Sequence, residues 1–242
     1  IGSYAFHQLF QPCNDVYIAE VNLPSKLESI GDYAFADTYK IENIAIPAGV
    51  TSVGTCAFQN ACCTTGLKNG VMGTSQDLYG TLTLPAVWPE MGATAFGGNY
   101  FCHGLTVPAG TTEIVDRAFY GCRFQGELSL PEGLWSIGNE AFFDCGFTGT
   151  LTLPESLTDM GYGVFNGLDV TSVKIPESWT VIPEKTFEFS HDLTSVTIPA
   201  GIKEIGDYAI QYCTGLSSVS FPAGLERIGN RAFLHCKIGR AH

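Results

Sequence analysis

Nine cysteines, five histidines and 24 acidic residues are the groups in this 242-residue chain with most capacity for chemistry, and their spacing decides which kind. A bound metal needs ligands that converge, which in sequence reads as Cys-x-x-Cys or His-x3-His. Neither occurs: His7, His103, His191, His235 and His242 are dispersed, and no two cysteines stand three apart. A nucleophile elbow Gly-x-Ser-x-Gly, a phosphate-binding P-loop, a His-Glu-x-x-His zinc motif and an Asp-rich calcium loop are also missing. The carboxylates fall mostly in turns, so spacing nominates no acid/base pair for glycoside hydrolysis. The sequence therefore predicts no enzyme, no cofactor and no metal site.

The cysteines make sense against a repeat. Pro24, Pro47, Pro85, Pro108, Pro131, Pro154, Pro176, Pro199 and Pro222 stand 23 residues apart, except for one step of 22 and one of 38. Counting positions from that proline, Cys122, Cys145, Cys213 and Cys236 all fall at position 14, where other units carry Thr38, Ala61, Asn99, Leu168 and Ser190. Side chains at one position of stacked units point in parallel, which favours small buried thiols. Disulfides between neighbouring units, 122 with 145 and 213 with 236, are the alternative.

Each unit has the parts of a coil. Before the proline, aliphatics alternate with polar residues, as in LTSVTIP at 193–199, which predicts a short half-buried strand that the proline ends. Positions 3 and 6 are again apolar, and position 7 is glycine in most units (Gly31, Gly54, Gly92, Gly138, Gly161, Gly206, Gly229), read as a turn needing a permissive backbone. Val115 and Pro183 break that rule. Phenylalanine recurs at position 11, from Phe6 and Phe35 to Phe233, with Ile210 the single substitute, and reads as a stacked core spine. A 23-residue unit cannot bury its apolar face alone, so units must stack and share it. Strands one coil apart would then pair at about 4.8 Å.

The consensus LxxVxIPxxLxxIGxxAFxxC closely resembles the BspA-like (Treponema pallidum type) leucine-rich repeat, and the resemblance covers almost the whole chain. It implies a leucine-rich-repeat solenoid: right-handed stacked coils of mainly short parallel β-strands, with turns and irregular or 3-10 segments. Residues 1–242 form a single solenoid on this reading, with a partial repeat at 1–15, full repeats from about 16 to 236 and an insertion at about 62–76. The resemblance also implies a non-enzymatic extracellular or cell-surface protein that adheres to host or matrix proteins or other cell-surface molecules. A structural spacer within a larger surface protein is the alternative. The chain starts in mid-repeat without a signal peptide, consistent with a segment of a longer protein, and neither end looks capped, so end-to-end self-association is expected.

Two places remain where a ligand would be met. The solvent-facing strand positions form a ladder of small polar groups, chiefly Glu20, Asn22, Thr81, Thr83, Glu127, Thr150, Thr152, Lys174 and Thr197. Threonine also suits an exposed strand for its β propensity alone. The second place is the insertion, flanked by Cys62, Cys63 and Cys102, which are candidates for a disulfide that anchors the loop. A smaller insertion lies between Phe10 and Val16. The formal charge of −12, with no run of Lys or Arg, argues against nucleic acid, and no apolar stretch approaches membrane-spanning length.

Overall fold

The structure is a computed structural model and describes residues 1–8, 21–38, 41, 43–62, 67–68, 71–72, 80–101 and 103–238. Glu20, Cys63, Cys102 and the Phe10 to Val16 segment lie outside them. The described residues contain no helix of any kind, 3-10 included; the segments expected as irregular or 3-10 are runs of consecutive turns. The repeat unit is a coil of the solenoid, and equivalent residues of successive coils lie one above another.

The turns carry the most regular hydrogen bonding. Residues at positions 9 and 13 are left-handed in coil after coil, as at Tyr33 (φ 54) and Asp37 (φ 55), or Arg117 (φ 56) and Gly121 (φ 68). A left-handed non-glycine residue costs about 1–2 kcal/mol. What the conformation achieves is alternation: amides at positions 10 and 12 close their own turn, as in Ala34 N to Gly31 O (3.3 Å), while those at 9, 11 and 13 point to the next coil. Tyr33, Phe35 and Asp37 thus donate to the carbonyls of Thr55, Ala57 and Gln59 at 2.9, 2.7 and 2.8 Å.

Inside that ladder runs the phenylalanine spine. Phe6, Phe35, Phe58, Phe96, Phe119, Phe142, Phe165 and Phe187 stack nearly parallel, with ring centroids from 4.9 to 6.0 Å apart. Phe6 is exposed, and burial of each ring from Phe35 to Phe187 contributes about 1.5–3 kcal/mol. A second, shorter column at position 16 (Phe101, Phe124, Phe147) stacks at 4.9 and 4.6 Å and meets the spine edge-on at Phe119 and Phe142.

Position 14 completes the accounting of polar groups. The cysteine thiols there donate to the position-11 carbonyl of the preceding coil: Cys122 to Phe96 (2.9 Å), Cys145 to Phe119 (3.1 Å), Cys213 to Phe187 (3.1 Å) and Cys236 to Ile210 (3.0 Å). Ser190 reaches Phe165 O likewise, and Asn99 serves both Phe58 O and Phe96 O at 2.8 and 2.6 Å. Cys145, Cys213 and Cys236 are thiols, and burial raises the Cys145 thiol well above its usual range.

The glycines at position 7 have a different cause from the one expected. None has a positive φ. Instead, a Cβ at Gly31, Gly54, Gly92, Gly138 or Gly229 would lie 2.2–2.5 Å from a backbone nitrogen of the preceding coil. Glycine is there because two coils approach closely, which lets its amide reach the position-6 carbonyl below, as in Gly54 N to Ile30 O (2.8 Å).

The two coils without that glycine are where this ladder stops. Strands at positions 5 and 6 pair in parallel as three separate groups: Ser29–Ile30 with Ser52–Val53 and Glu90–Met91; Glu113–Ile114 with Ser136–Ile137 and Asp159–Met160; Val181–Ile182 with Glu204–Ile205 and Arg227–Ile228. The breaks fall beside Val115, whose side chain occupies the space of the glycine, and Pro183, which has no amide to give. At the first break the neighbouring turn bond, Thr94 N to Asp116 O, is stretched to 3.4 Å. The strands before the prolines break at the same level: among the described residues Thr81–Thr83 pairs with Asn43–Ala45 alone, and Leu105–Thr106 starts a new ladder with Leu128–Ser129. His103 fills that gap, its Nε2 accepting from Leu82 N (3.1 Å) and its Nδ1 facing Gly104 O (2.6 Å).

Two outcomes are expected. At the Pro183 break the amides of Thr180 and Val181 should exchange hydrogen faster than those of Lys203 and Glu204, which donate to Thr180 O at 2.7 and 3.2 Å; equal protection would contradict the break. Thr111 is 1% exposed at position 3, where other coils carry aliphatic residues or tryptophan, and its hydroxyl has no partner. Thr111→Val should therefore stabilise the fold by about 1 kcal/mol, seen as a higher denaturant midpoint.

Candidate functional site

The strand ladder before the prolines offers side chains that the fold does not consume. Its backbone groups are used in pairing, and the aliphatics between the polar positions point inward: Leu82, Leu128, Leu151, Val173 and Val196 are buried. The alternation leaves Asn22, Thr83, Glu127, Thr150, Thr152, Lys174 and Thr197 exposed, with Thr81 half-buried. Of the expected ligand-face residues, only Glu20 lies outside the described structure.

The structure groups these residues into two patches. Toward the N-terminal end, Thr81 Oγ1 donates to Asn43 Oδ1 (2.6 Å) and Thr83 lies opposite Ala45. A groove of about 360 Å³ beside them is lined by Val21, Asn22, Leu23, Asn43 and Ala45. The larger patch comes from Thr148–Thr152, Asp169–Lys174 and Ser195–Thr197, which pair in parallel. There Thr150 and Ser172 share a hydrogen bond of 2.8 Å, Thr152 lies opposite Lys174, and Lys174 opposite Thr197. The register shifts between Gly149 and Thr150, with Thr171 the extra residue on the strand of the one short repeat, Pro154 to Pro176. Glu127 lies near the edge of this second patch, its carboxylate over Gly149. The His103 break separates the two patches.

The base of the insertion is built around Asn99 and Tyr100. Cys62 belongs to the core, with its amide on Asn99 Oδ1 (2.6 Å), its carbonyl on Tyr100 N (3.0 Å) and its thiol toward Tyr100 O (3.3 Å). The chain is back in the ladder at Gly80, whose amide donates to Tyr100 O (2.9 Å). The excursion thus leaves after Cys62, rather than including it, and returns by Gly80. Within it, Leu67–Lys68 and Val71–Met72 pair antiparallel as a hairpin. The Asn69-Gly70 step between them, a common two-residue hairpin turn, is the sequence signal that marks it. The disulfide expected among Cys62, Cys63 and Cys102 involves two residues outside the described structure.

Elsewhere the polar groups serve the stack. Asp32, Asp116 and Asp207 each accept the amide of the residue one coil on (Thr55, Asn139, Asn230) at 2.7–2.8 Å, and those bonds hold the Asp207 carboxyl below the usual range. Asp169 is raised by burial and by Asp192, in a cavity of about 610 Å³ that it shares with Arg123. Among the described residues no three His, Cys, Asp or Glu side chains could hold a metal ion, and no helix is long and apolar enough to cross a membrane.

The chain is similar to a leucine rich repeat protein of T. pallidum, with 21% identity over 81% of this chain and 77% of that one and a TM-score of 0.51. A leucine-rich repeat protein of Bacteroides ovatus shares 22% identity over 95% of this chain and 79% of that one, with a TM-score of 0.35. The likeness to the T. pallidum protein concerns the fold. Characterised proteins give no sequence match. The sequence pattern of the BspA type leucine rich repeat region matches in six copies over residues 1–69 and 112–239. With that pattern over most of its length and its repeats stacked as coils of a parallel β-solenoid, the chain belongs to the BspA type leucine rich repeat family.

Proposed function

We propose that the chain is a non-enzymatic binding module of a bacterial cell-surface or secreted protein, and that it holds a protein ligand on the exposed strand face. The ligand would be a host or matrix protein or another cell-surface molecule. The observation that carries this reading is the three-stranded patch of Thr150, Thr152, Lys174 and Thr197. Its three strands pair in parallel while these side chains face solvent, so its surface chemistry varies at little cost to the fold. Aromatic anchors are lacking there, which fits contact spread over a wide polar area more than a single deep hot spot. A stalk without a ligand of its own is the second reading, favoured by the same shortage of anchors.

The two readings separate on an array of host, matrix and bacterial surface proteins, with glycans alongside. A binding module captures at least one protein, and Thr150→Arg combined with Thr197→Arg lowers that capture by at least about tenfold while the unfolding temperature stays unchanged. No capture across the array would favour the stalk. Capture confined to glycans would replace the protein ligand by a sugar.

A further inference from the structure

The break at Pro183 leaves two strand edges facing each other: Asp159–Met160 ends one group of paired strands and Val181–Ile182 begins the next. In the intact ladder the position-4 carbonyl accepts the position-4 and position-5 amides of the following coil, as Trp135 O does from Thr158 N (3.1 Å) and Asp159 N (3.0 Å). The position-6 carbonyl accepts the position-7 amide, as Ile182 O does from Gly206 N (2.8 Å). Across the break none of these bonds forms among the described residues. The amides of Thr180 and Val181 find no acceptor in the preceding coil, and the carbonyls of Thr158 and Met160 find no donor in the following one. Between the edges lies a groove of about 310 Å³, lined by Asp159, Met160, Trp179, Val181 and Pro183 among others. Small-molecule sites run from about 300 to 1,000 Å³, so this groove has room for one or two side chains. The surface around it departs from the repeat. Positions 4, 5 and 8 are Thr112, Glu113 and Asp116 in one flanking coil and Lys203, Glu204 and Asp207 in the other. In the three coils between them the same positions include Trp135, Val181 and Tyr162, each 43% exposed. The break at Val115 has no such residues, its lower coil carrying Pro89, Glu90 and Ala93 there.

We propose that the Pro183 break is a second binding site, which takes an extended peptide segment of another protein as an added strand. It lies on a different ladder from the ligand face and does not depend on that reading. An open strand edge asks for extended backbone, which alone supplies acceptors and donors at the spacing of the missing coil. A carbonyl of the segment takes the Thr180 and Val181 amides, as Trp135 O takes those of Thr158 and Asp159, and its amides face the carbonyls of Thr158 and Met160. One apolar side chain of the segment enters the groove beside Met160 and Trp179. Exposed tryptophan and tyrosine are the residue types that most often anchor protein contacts, and here Trp135 and Tyr162 stand at the rim. Charge decides what flanks the apolar residue. Asp159, whose carboxylate accepts from Ser136 Oγ (3.1 Å), is the one ionised group among the described lining residues, and the whole chain carries −12, so the segment is basic there. Each edge is two residues long, which limits the segment to a short strand.

The experiment offers the whole chain a positional-scanning library of end-capped hexapeptides and reads hydrogen exchange at the Thr180 and Val181 amides by NMR. Pools that pair an apolar residue with Lys or Arg should slow that exchange by at least about tenfold at saturation, and methylating alternate backbone nitrogens of the best peptide should abolish the effect. Asp159→Asn should remove the preference for Lys or Arg and keep the apolar one. Pro183→Gly restores the residue that the other coils use, so the edges should close: the two amides become protected without peptide, peptide binding is lost, and the unfolding temperature does not fall. Thr150→Arg combined with Thr197→Arg should bind the peptide as the unsubstituted chain does, whatever the protein array shows for the ligand face. The proposal is overturned if no pool slows exchange at Thr180 and Val181, if N-methylated peptides bind equally well, or if Pro183→Gly protects the amides and still binds. It is also overturned if the Thr150 and Thr197 substitutions abolish binding, or if raising the chain concentration alone protects the amides, which would make a second copy the occupant.

Discussion

The turn amides at positions 9, 11 and 13 have no partner within their own coil, and everything else in the molecule is arranged so that the next coil supplies one. A left-handed residue at positions 9 and 13 turns those amides outward. Because the receiving carbonyls sit one residue earlier in the following coil, the register between coils is set by the backbone. Side chains follow. Phe35 must lie under Phe58, and Phe58 under Phe96, whether or not stacking is favourable in itself. Phenylalanine is what survives at such a position, since a flat ring fills a gap near 5 Å with no polar group to satisfy. In several coils the position-11 carbonyl keeps room for one more donor, and a cysteine, serine or asparagine at position 14 of the next coil supplies it.

That constraint explains how the solenoid tolerates its irregularities. At the Val115 level, both strand ladders are broken, yet Phe96 N still reaches Ala118 O (3.0 Å) and Gly98 N reaches Tyr120 O (2.7 Å). The turns and the paired strands Tyr100–Phe101 and Arg123–Phe124 hold the coils together there. At the Pro183 level only one strand ladder is lost, because Asp169–Lys174 still joins Thr148–Thr152 to Ser195–Thr197. Strand pairing is thus dispensable coil by coil, and the turn ladder persists across both breaks. A groove of about 310 Å³ at the Pro183 break, lined by Met160, Trp179 and Val181 among others, is the space left by strands that do not close.

Periodicity made the coil legible from sequence, because proline, phenylalanine and aliphatics mark their positions by type. Roles that depend on the neighbouring coil were harder to read. Glycine at position 7 suggests a turn, and only the stacked structure shows that the space is taken by the peptide below. Cysteine at position 14 reads as a small apolar residue, and its use as a donor becomes visible once the position-11 carbonyl of the preceding coil is seen beside its sulfur. The breaks were half legible: Val115 and Pro183 stood out as departures from glycine, but their consequence required knowing what the glycine allowed. The hairpin carried its signal in Asn69-Gly70, whereas the discontinuity in the ligand face at His103 had none, since a histidine in place of a strand partner leaves no pattern.

Four of the irregular features lie close together in sequence. The excursion between Cys62 and Gly80, the buried Asn99, the substitution of His103 for a strand partner and the Val115 break fall within one 54-residue stretch, 62–115. Two of them have a structural link: Tyr100 holds both ends of the excursion and stands in the strand that pairs across the break. An insertion of this size need only leave and rejoin one coil, and Asn99 with Tyr100 accomplishes that without disturbing the strands. A break in both ladders at the adjacent level is therefore not forced by the insertion. It is encoded separately, by a valine where glycine would fit and by a histidine that satisfies the exposed strand edge. Two independent departures, side by side, thus fall between the two polar patches, where a ligand spanning both would have to cross them.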